Sequence, residues 1–248
     1  MFDVITPVGP HDLERIDEQL AHTRENVEGV QTIWVVTRQD FGIRCRSGVQ
    51  IVDEADFPFY AEVPRFLGEN DRNGWYLQQL IKLYAGYAIR GCYPRWLAID
   101  ADTHFLKPTS FISGNAAWFT LNKDHHAPYF RHMKKLHPSL QRQRPGMSGI
   151  VHHMMFWRPC VGNLLNLVES HHKKPFWQVF LECIDPAERE GAGASEYEIY
   201  FNFMLKYHPD LIKLRGLKWN NVADLDAEDP YDCDFLSNHH HMRSQKQF

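Results

Sequence analysis

The chain has 248 residues, 44% of them hydrophobic, and its 27 basic and 31 acidic residues give a formal net charge of −4. This length and apolar content predict one substantial core, and we expect a single domain over residues 1–248. The nearly balanced charge argues against a general binder of phosphate backbones, so nucleic acid is not an expected partner.

The first half of the chain predicts alternating strands and helices. Short apolar runs indicate buried strands at residues 2–6, 33–36, 49–52 and 96–99. Asp12 is a candidate N-cap for a helix that runs through Leu20, and residues 75–89 have the spacing of an amphipathic helix. This alternation is typical of an α/β fold with a mostly parallel sheet flanked by helices, in which ligands bind at the carboxyl ends of the strands.

The predicted helix over residues 75–89 has a polar face that includes Gln78, Gln79 and Lys82. Gln78 and Lys82 are one turn apart and therefore share that face. Polar helix faces are usually solvated, but a face of this kind can also be turned toward a ligand at the end of the following strand. The sequence leaves both interpretations open.

The second half of the chain is expected to be more helical. Residues 116–121 predict a strand, and residues 123–145, rich in His, Lys, Arg and Pro, predict a surface loop with a short helix. Further helices are predicted at residues 161–169, 175–183 and 195–207, with a brief strand at residues 211–214.

The cysteines and the lack of long apolar runs bear on the cellular compartment of the protein and on its contact with membranes. Five cysteines are scattered without a CxxC pair, at Cys45, Cys92, Cys160, Cys183 and Cys233. They predict reduced thiols and a cytoplasmic protein. No apolar run reaches the roughly 20 residues that span a bilayer, and no basic-then-apolar leader pattern is present, so any membrane contact is expected to be peripheral.

Two carboxylates, Asp100 and Asp102, directly follow the apolar strand at residues 96–99. Two acids this close repel each other unless a cation lies between them, and hard divalent ions prefer carboxylate oxygen. The pattern therefore indicates a metal that holds a phosphate. The alternative is a simple turn, with Asp100 at the strand exit, Asp102 opening the turn and Pro108 ending it.

The residues around this pair carry a resemblance to a known fold family. The segment DADTHFLKP at residues 100–108 resembles the DxD motif of GT-A glycosyltransferases, which follows an apolar strand. The segments SGIVHHMMFWRP at 148–159, ASEYEIYFNF at 194–203 and HHHMR at 239–243 are similar to a largely uncharacterised family of bacterial and viral glycosyltransferase-like proteins. The resemblance implies a GT-A, Rossmann-like fold, with residues 1–108 binding the nucleotide sugar and residues 109–248 on the acceptor side.

The resemblance also implies a metal site. Asp100 and Asp102 would hold a divalent ion on the diphosphate of the donor, with Asp102 and His239 as direct ligands and Asp100 on the ribose or on a metal-bound water. Imidazole suits manganese better than magnesium, so Mn is the expected ion and Mg the other possibility. Arg243 would meet the diphosphate, because its planar fork matches phosphate oxygens.

Other positions follow from the place that the resembling fold gives them. Thr6 and Val8 at the end of the first strand, and Asp53 at the end of the third, would hold the base and the ribose. Ser148 and Gly149 would lie beside the donor sugar. Gln78 and Lys82 are candidates to point at the donor.

Two glutamates open the helix predicted at residues 195–207. Ser195 and Glu198 fit a capping box, in which the Glu198 carboxylate reaches back to the N-cap residue. Glu196 is not needed for the box, although the helix dipole also favours an acid there. The resemblance places an acid at this position near the acceptor, where it would hold sugar hydroxyls or act as general base.

His152 and His153 are adjacent, and adjacent side chains on a strand point to opposite faces, so at most one is expected to face a site. Neither is a favoured metal ligand on sequence grounds. His239, His240 and His241 form a second histidine run, which is either a solvated tail or, for His239, a metal ligand.

These observations lead to one main functional hypothesis and two alternatives. The main one is a metal-dependent, hexosyltransferase-like glycosyltransferase acting on a nucleoside-diphosphate sugar and a carbohydrate or glycoconjugate acceptor, with Asp102 essential for turnover. A haloacid-dehalogenase-type phosphatase also uses a DxD motif at a strand end, although Thr103 and His104 do not fit its expected pattern. The third hypothesis is a sugar-nucleotide-binding module without catalysis.

Overall fold

The computed structural model describes residues 1–38, 42–43, 47–223, 225 and 232–239. Eleven strands lie within these residues: β1 (Phe2–Pro7), β2 (Val30–Thr37), β3 (Val49–Asp53), β4 (Arg95–Ile99), β5 (Thr103–Phe105), β6 (Ile112–Ser113), β7 (Ala116–Thr120), β8 (His153–Trp157), β9 (Ile212–Arg215), β10 (Trp219–Asn221) and β11 (Phe235–Ser237). The α-helices of the same residues are α1 (Ile16–Asn26), α2 (Glu62–Leu67), α3 (Asn73–Ala88), α4 (Ala127–Leu136), α5 (Arg158–His172), α6 (Phe176–Glu182) and α7 (Glu196–Tyr207).

The centre of the molecule is a five-stranded sheet in the order β3-β2-β1-β4-β8. Strands β1 to β4 are parallel to one another, and β8 is antiparallel to β4. Two smaller sheets have the orders β10-β11-β5 and β6-β7-β9. The predicted α/β class, a mostly parallel sheet flanked by helices, is confirmed.

Both faces of the central sheet are buried. In β4, Trp96 and Ala98 belong to the large core formed with α3, α5, α6 and α7, whereas Leu97 and Ile99 belong to a second core on the other face. All four side chains are fully buried. This explains why the strand is a continuous apolar run rather than an alternating one.

The helix predicted at residues 75–89 is α3, and of the two interpretations of its polar face the solvated one does not hold for two of its residues. Gln79 and Lys82 are 2% and 3% exposed, and only Gln78 is half-buried. Both buried residues find polar partners on α7 and at the end of β4. The tertiary packing of α3 against α7 therefore overrides the amphipathic pattern.

Two other elements differ from their predicted form. Residues 10–12 form a short 3-10 turn, and α1 begins only at Ile16. Strand β8, which was not among the predicted strands, adds an antiparallel edge to the sheet. No helix among the described residues combines the length and the apolar character needed to cross a membrane.

Helix α4, the short helix expected within residues 123–145, packs a histidine into the core. His132 is 2% exposed, and its Nε2–H donates to the Phe180 carbonyl oxygen at 2.8 Å. Burial lowers the pKa of His132 to about 4, although the bond to Phe180 partly opposes this. The folded state therefore holds this imidazole neutral at pH values where the unfolded chain is protonated.

We expect the free energy of unfolding to fall as the pH is lowered from about 6.5 toward 4, because the unfolded chain then binds more protons than the folded one. A His132→Gln variant should show a shallower fall, since one group that takes up a proton on unfolding is gone. Urea unfolding between pH 7 and pH 4.5 measures both slopes. His125→Gln, at an exposed histidine before α4, is the control and should keep the wild-type slope; equal slopes for His132→Gln and wild type would contradict the prediction.

Candidate functional site

The acidic pair lies at the carboxyl edge of the central sheet. Asp100 follows β4 directly, and because β8 is antiparallel to β4, with Ile99 opposite His153, the start of β8 lies at the same edge. The Asp100 N–H donates to the His152 carbonyl oxygen at 2.9 Å. The strand pairing thus brings His152 beside the acidic pair.

The segment after β11 reaches the same place. Strand β11 is antiparallel to β5, with Ser237 opposite Thr103, and the Asn238 N–H donates to the Asp102 carbonyl oxygen at 2.9 Å. The next residue, His239, has its Nδ1 3.2 Å from Oδ2 of Asp102. A sheet register therefore holds His239 against the second aspartate.

Asp102, His152 and His239 together form a candidate metal centre. One ligand atom from each lies within 4.8 Å of the others, and the two imidazole rings are 4.8 Å apart between centroids. His152 is buried, and the other two residues are half-buried. One carboxylate oxygen and two imidazole nitrogens suit a transition metal such as Mn or Zn better than Mg. The residues present therefore fit a divalent ion.

Neighbouring groups orient these candidate ligands. The Ser237 hydroxyl donates to Oδ1 of Asp102 at 3.2 Å, and the His152 ring lies edge-on to Trp219, 5.0 Å between centroids. Burial would raise the pKa of Asp102, but the hydrogen bond with His239, together with the charges of His152 and His239, outweighs burial, and the pKa lies below its ordinary value. The carboxylate is therefore ionised at neutral pH, as a metal ligand must be.

Asp100 belongs to a second, more deeply buried network. Lys82 donates to its Oδ1 at 2.5 Å, the Tyr197 hydroxyl donates to the same oxygen at 3.1 Å, and Nδ1 of His152 lies 3.5 Å from Oδ2. Burial alone would raise the pKa of Asp100, but Lys82, with His152, holds the pKa well below its ordinary value. Burial would likewise lower the pKa of Lys82, yet Asp100 and Glu196 raise it well above its ordinary value.

Glu196 joins this network from the first turn of α7. Its Oε1 lies 3.0 Å from Nζ of Lys82, and its N–H donates to the Gln79 side-chain oxygen at 3.2 Å. Burial raises the pKa of Glu196, and the nearby ammonium of Lys82 offsets only part of that effect. A single buried lysine therefore neutralises carboxylates on two separate elements.

Ser195 caps α7 as expected, accepting a hydrogen bond from the Glu198 N–H at 3.2 Å. The other half of the predicted capping box is wrong, because the Glu198 carboxylate accepts from the Ser148 hydroxyl and from the Asn202 amide instead. Gly149 packs against the same helix, where an added Cβ would lie 2.6 Å from Cβ of Phe201. Ser148 and Gly149 thus fasten the segment before β8 to α7.

Comparison with known proteins identifies the family. Residues 21–220 match the model of a family described as "Family of unknown function (DUF6492)". The chain belongs to this family. No curated protein matches the sequence significantly. Among solved structures, the chain is similar to the crystal structure of mouse xyloside xylosyltransferase 1, with 11% identity, a TM-score of 0.47, and coverage of 98% of this chain and 99% of that chain.

The part of this DUF6492 protein that matches the family model contains Lys82, both aspartates, His152 and Glu196, whereas His239 lies beyond it. Of the residues predicted to hold base and ribose, Thr6 and Val8 are buried at the end of β1 and just beyond it. Asp53 ends β3, where its side chain accepts a hydrogen bond from the Ala55 N–H at 2.9 Å. Arg243, His240, His241 and Cys45 lie outside the described residues.

His152 is the functional candidate that the sequence interpretation set aside. It and His153 do point in different directions: His153 is buried among Phe105, Phe111 and Phe235, and His152 faces the acidic pair. His152 has a backbone φ of 61°, so it does not continue the extended geometry of β8. The doubled histidine was visible in the sequence, but nothing local indicated which ring faces the site.

Proposed function

We propose that this DUF6492 protein is a metal-dependent glycosyltransferase that transfers a sugar from a nucleoside-diphosphate sugar to an acceptor hydroxyl, in the synthesis of cell-surface polysaccharides or glycoconjugates in the cytoplasm. The observation that carries the proposal is the grouping of Asp102, His152 and His239 at the carboxyl edge of a mostly parallel sheet. Ligands of such sheets bind at this edge. The DxD resemblance of residues 100–102 supports the same chemistry.

Asp102, His152 and His239 would hold the divalent ion, with Mn favoured by the two imidazoles and Mg the weaker candidate. When bound, the ion supplies Lewis-acid stabilisation of the negative charge on the departing diphosphate. Asp102 contributes the anionic ligand, and Ser237 fixes its orientation through the hydrogen bond to Oδ1. Asp100 influences the metal site indirectly, because its Oδ2 faces His152, one of the proposed ligands.

The remaining candidates divide between donor and acceptor. Thr6, Val8 and Asp53 are assigned to the base and ribose, and Gln78, Ser148, Gly149 and Arg243 to the donor. Glu196 is assigned to the acceptor hydroxyl as general base, because its raised pKa moves it toward the range in which a base works at neutral pH. Residues 1–108 would serve mainly the donor and residues 109–248 the acceptor, with ligands for the ion drawn from both.

A thermal-shift panel of nucleoside diphosphates with and without Mn tests this proposal. We expect UDP or GDP to raise the melting temperature only when Mn is present, because a ligand that binds the folded state alone stabilises it by about 2.7 kcal/mol at a hundredfold excess over Kd. His152→Phe, which keeps a ring against Trp219 but removes a nitrogen ligand, should lose the shift. His125→Phe, at an exposed site before α4, should keep it.

Three outcomes would contradict the proposal. Absence of any metal-dependent nucleotide shift removes the donor site. Binding of nucleotide sugars without product, over many acceptors in a calorimeter, would establish a binding module in place of an enzyme. Release of phosphate from simple phosphomonoesters would restore the haloacid-dehalogenase-type phosphatase.

A further inference from the structure

We propose that Lys82 keeps Asp100 out of the metal site, and thereby lowers the affinity of the site for divalent ions and favours manganese over magnesium. The inference rests on the ion of the proposed function and assigns to Lys82 a positioning role in place of donor contact. Two observations carry it: the enclosure of the Lys82 ammonium, and the way in which the oxygens of Asp100 are used.

Described residues of this chain surround the Lys82 ammonium. Its side chain is 4% exposed, and its Nζ lies 2.5 Å from Asp100, 3.0 Å from Glu196 and 4.6 Å from the centroid of the Tyr197 ring. A cation so placed neutralises the buried Glu196 and the half-buried Asp100, and breaking such a pair leaves an uncompensated charge. Lys82 is therefore held in place and is not presented to a ligand at the sheet edge.

Both carboxylate oxygens of Asp100 already have neighbouring groups of this chain. Its Oδ1 accepts from both Lys82 and Tyr197, and its Oδ2 faces His152. Among the described residues, the ligand atoms that converge for an ion come from Asp102, His152 and His239, and Asp100 is not one of them. Asp100, the first aspartate of the DxD motif, is thus held beside the site by Lys82 of α3.

Removing the lysine changes the charge at the site in one direction. The Lys82 ammonium repels a divalent ion and cancels the attraction of Asp100, so its loss strengthens the net attraction. The released Asp100 can also turn a carboxylate oxygen to the ion. Carboxylate oxygen suits magnesium better than imidazole does, so an added oxygen ligand benefits magnesium more than manganese.

The test is metal binding by the full chain, measured by calorimetry with MnCl2 or MgCl2 alone, together with the Mn electron paramagnetic resonance spectrum. For Lys82→Met we expect the Kd for Mn to fall to about one-tenth of the wild-type value or less, and the affinity for Mg to rise by a larger factor. The Mn spectrum should also change. Lys174→Met is the matched control, because Lys174 forms an ion pair with Glu182 at 2.8 Å on the surface. It should leave both affinities unchanged.

Lys82→Met leaves the buried Glu196 carboxylate and the half-buried Asp100 carboxylate without a cation and can fail to fold. The double variant Lys82→Met/Glu196→Gln removes one of those anions and should show the same gain in metal affinity. Unchanged or weaker Mn binding in a folded variant would overturn the inference while the proposed function stands. A wild-type protein that binds no Mn would overturn both.

Discussion

An Asp102→Ala variant is expected to lose Mn binding. The rates of donor hydrolysis and sugar transfer should then fall by about a hundredfold or more, even with excess Mn. Asp102 is the anionic member of the candidate metal centre, with His239 3.2 Å from its Oδ2. Without it the two imidazoles remain, and they carry no negative charge to offset that of a divalent ion. The measurement is turnover of nucleoside-diphosphate sugars with and without acceptor, alongside Mn titration.

The control for this variant is Asp210→Ala, at an exposed aspartate in the short turn after α7. It should keep wild-type Mn binding and turnover. Undiminished turnover in a folded Asp102→Ala protein would remove the metal centre from the mechanism. Loss of turnover with Mn binding intact would assign Asp102 to the substrate instead of to the ion.

A Trp96→Ala variant is expected to lose about 3–5 kcal/mol of unfolding free energy, the range for removing a large aromatic side chain from a core. Trp96 is fully buried in β4, stacks on Phe156 at 5.8 Å between centroids, and donates from its indole N–H to the Lys82 carbonyl oxygen at 2.8 Å. Gly86 of α3 lies against its ring, where a Cβ would meet the ring at 2.2 Å. The surrounding core is thus shaped around this indole and leaves a large cavity without it.

Urea unfolding at neutral pH measures this loss. Tyr93→Ala, at a residue that is 38% exposed, is the control and should lose much less. A Trp96→Ala protein within 1 kcal/mol of wild type would show that the core relaxes into the space, contrary to the cost expected for rigidly packed interiors. Because Trp96 also ties β4 to α3, the variant should weaken Mn binding as well.

Local sequence patterns accounted for most of the elements of the sheet. Short apolar runs predict β1, β2, β3 and β4, and β1, β2 and β4 are largely buried, as such runs indicate. Strand β8 was missed because its run, His153–Trp157, begins with a histidine and carries no turn signal that sets it apart from α5, which follows directly. Polar residues whose partners are brought to them only by folding cannot be distinguished, in the sequence, from polar residues that are exposed to solvent.

The sequence by itself determined the α/β class and the acidic pair at the exit of β4, which depend on short-range periodicity and on the chemistry of single positions. His239 as a partner of Asp102 followed from the resemblance to GT-A glycosyltransferases. Only the tertiary structure decided that His152 joins that pair, that Lys82 is buried between Asp100 and Glu196, and that Glu198 bonds to Ser148. The physical reason is that periodicity specifies which face of an element is buried, whereas strand register and helix packing specify which distant residues meet across that face.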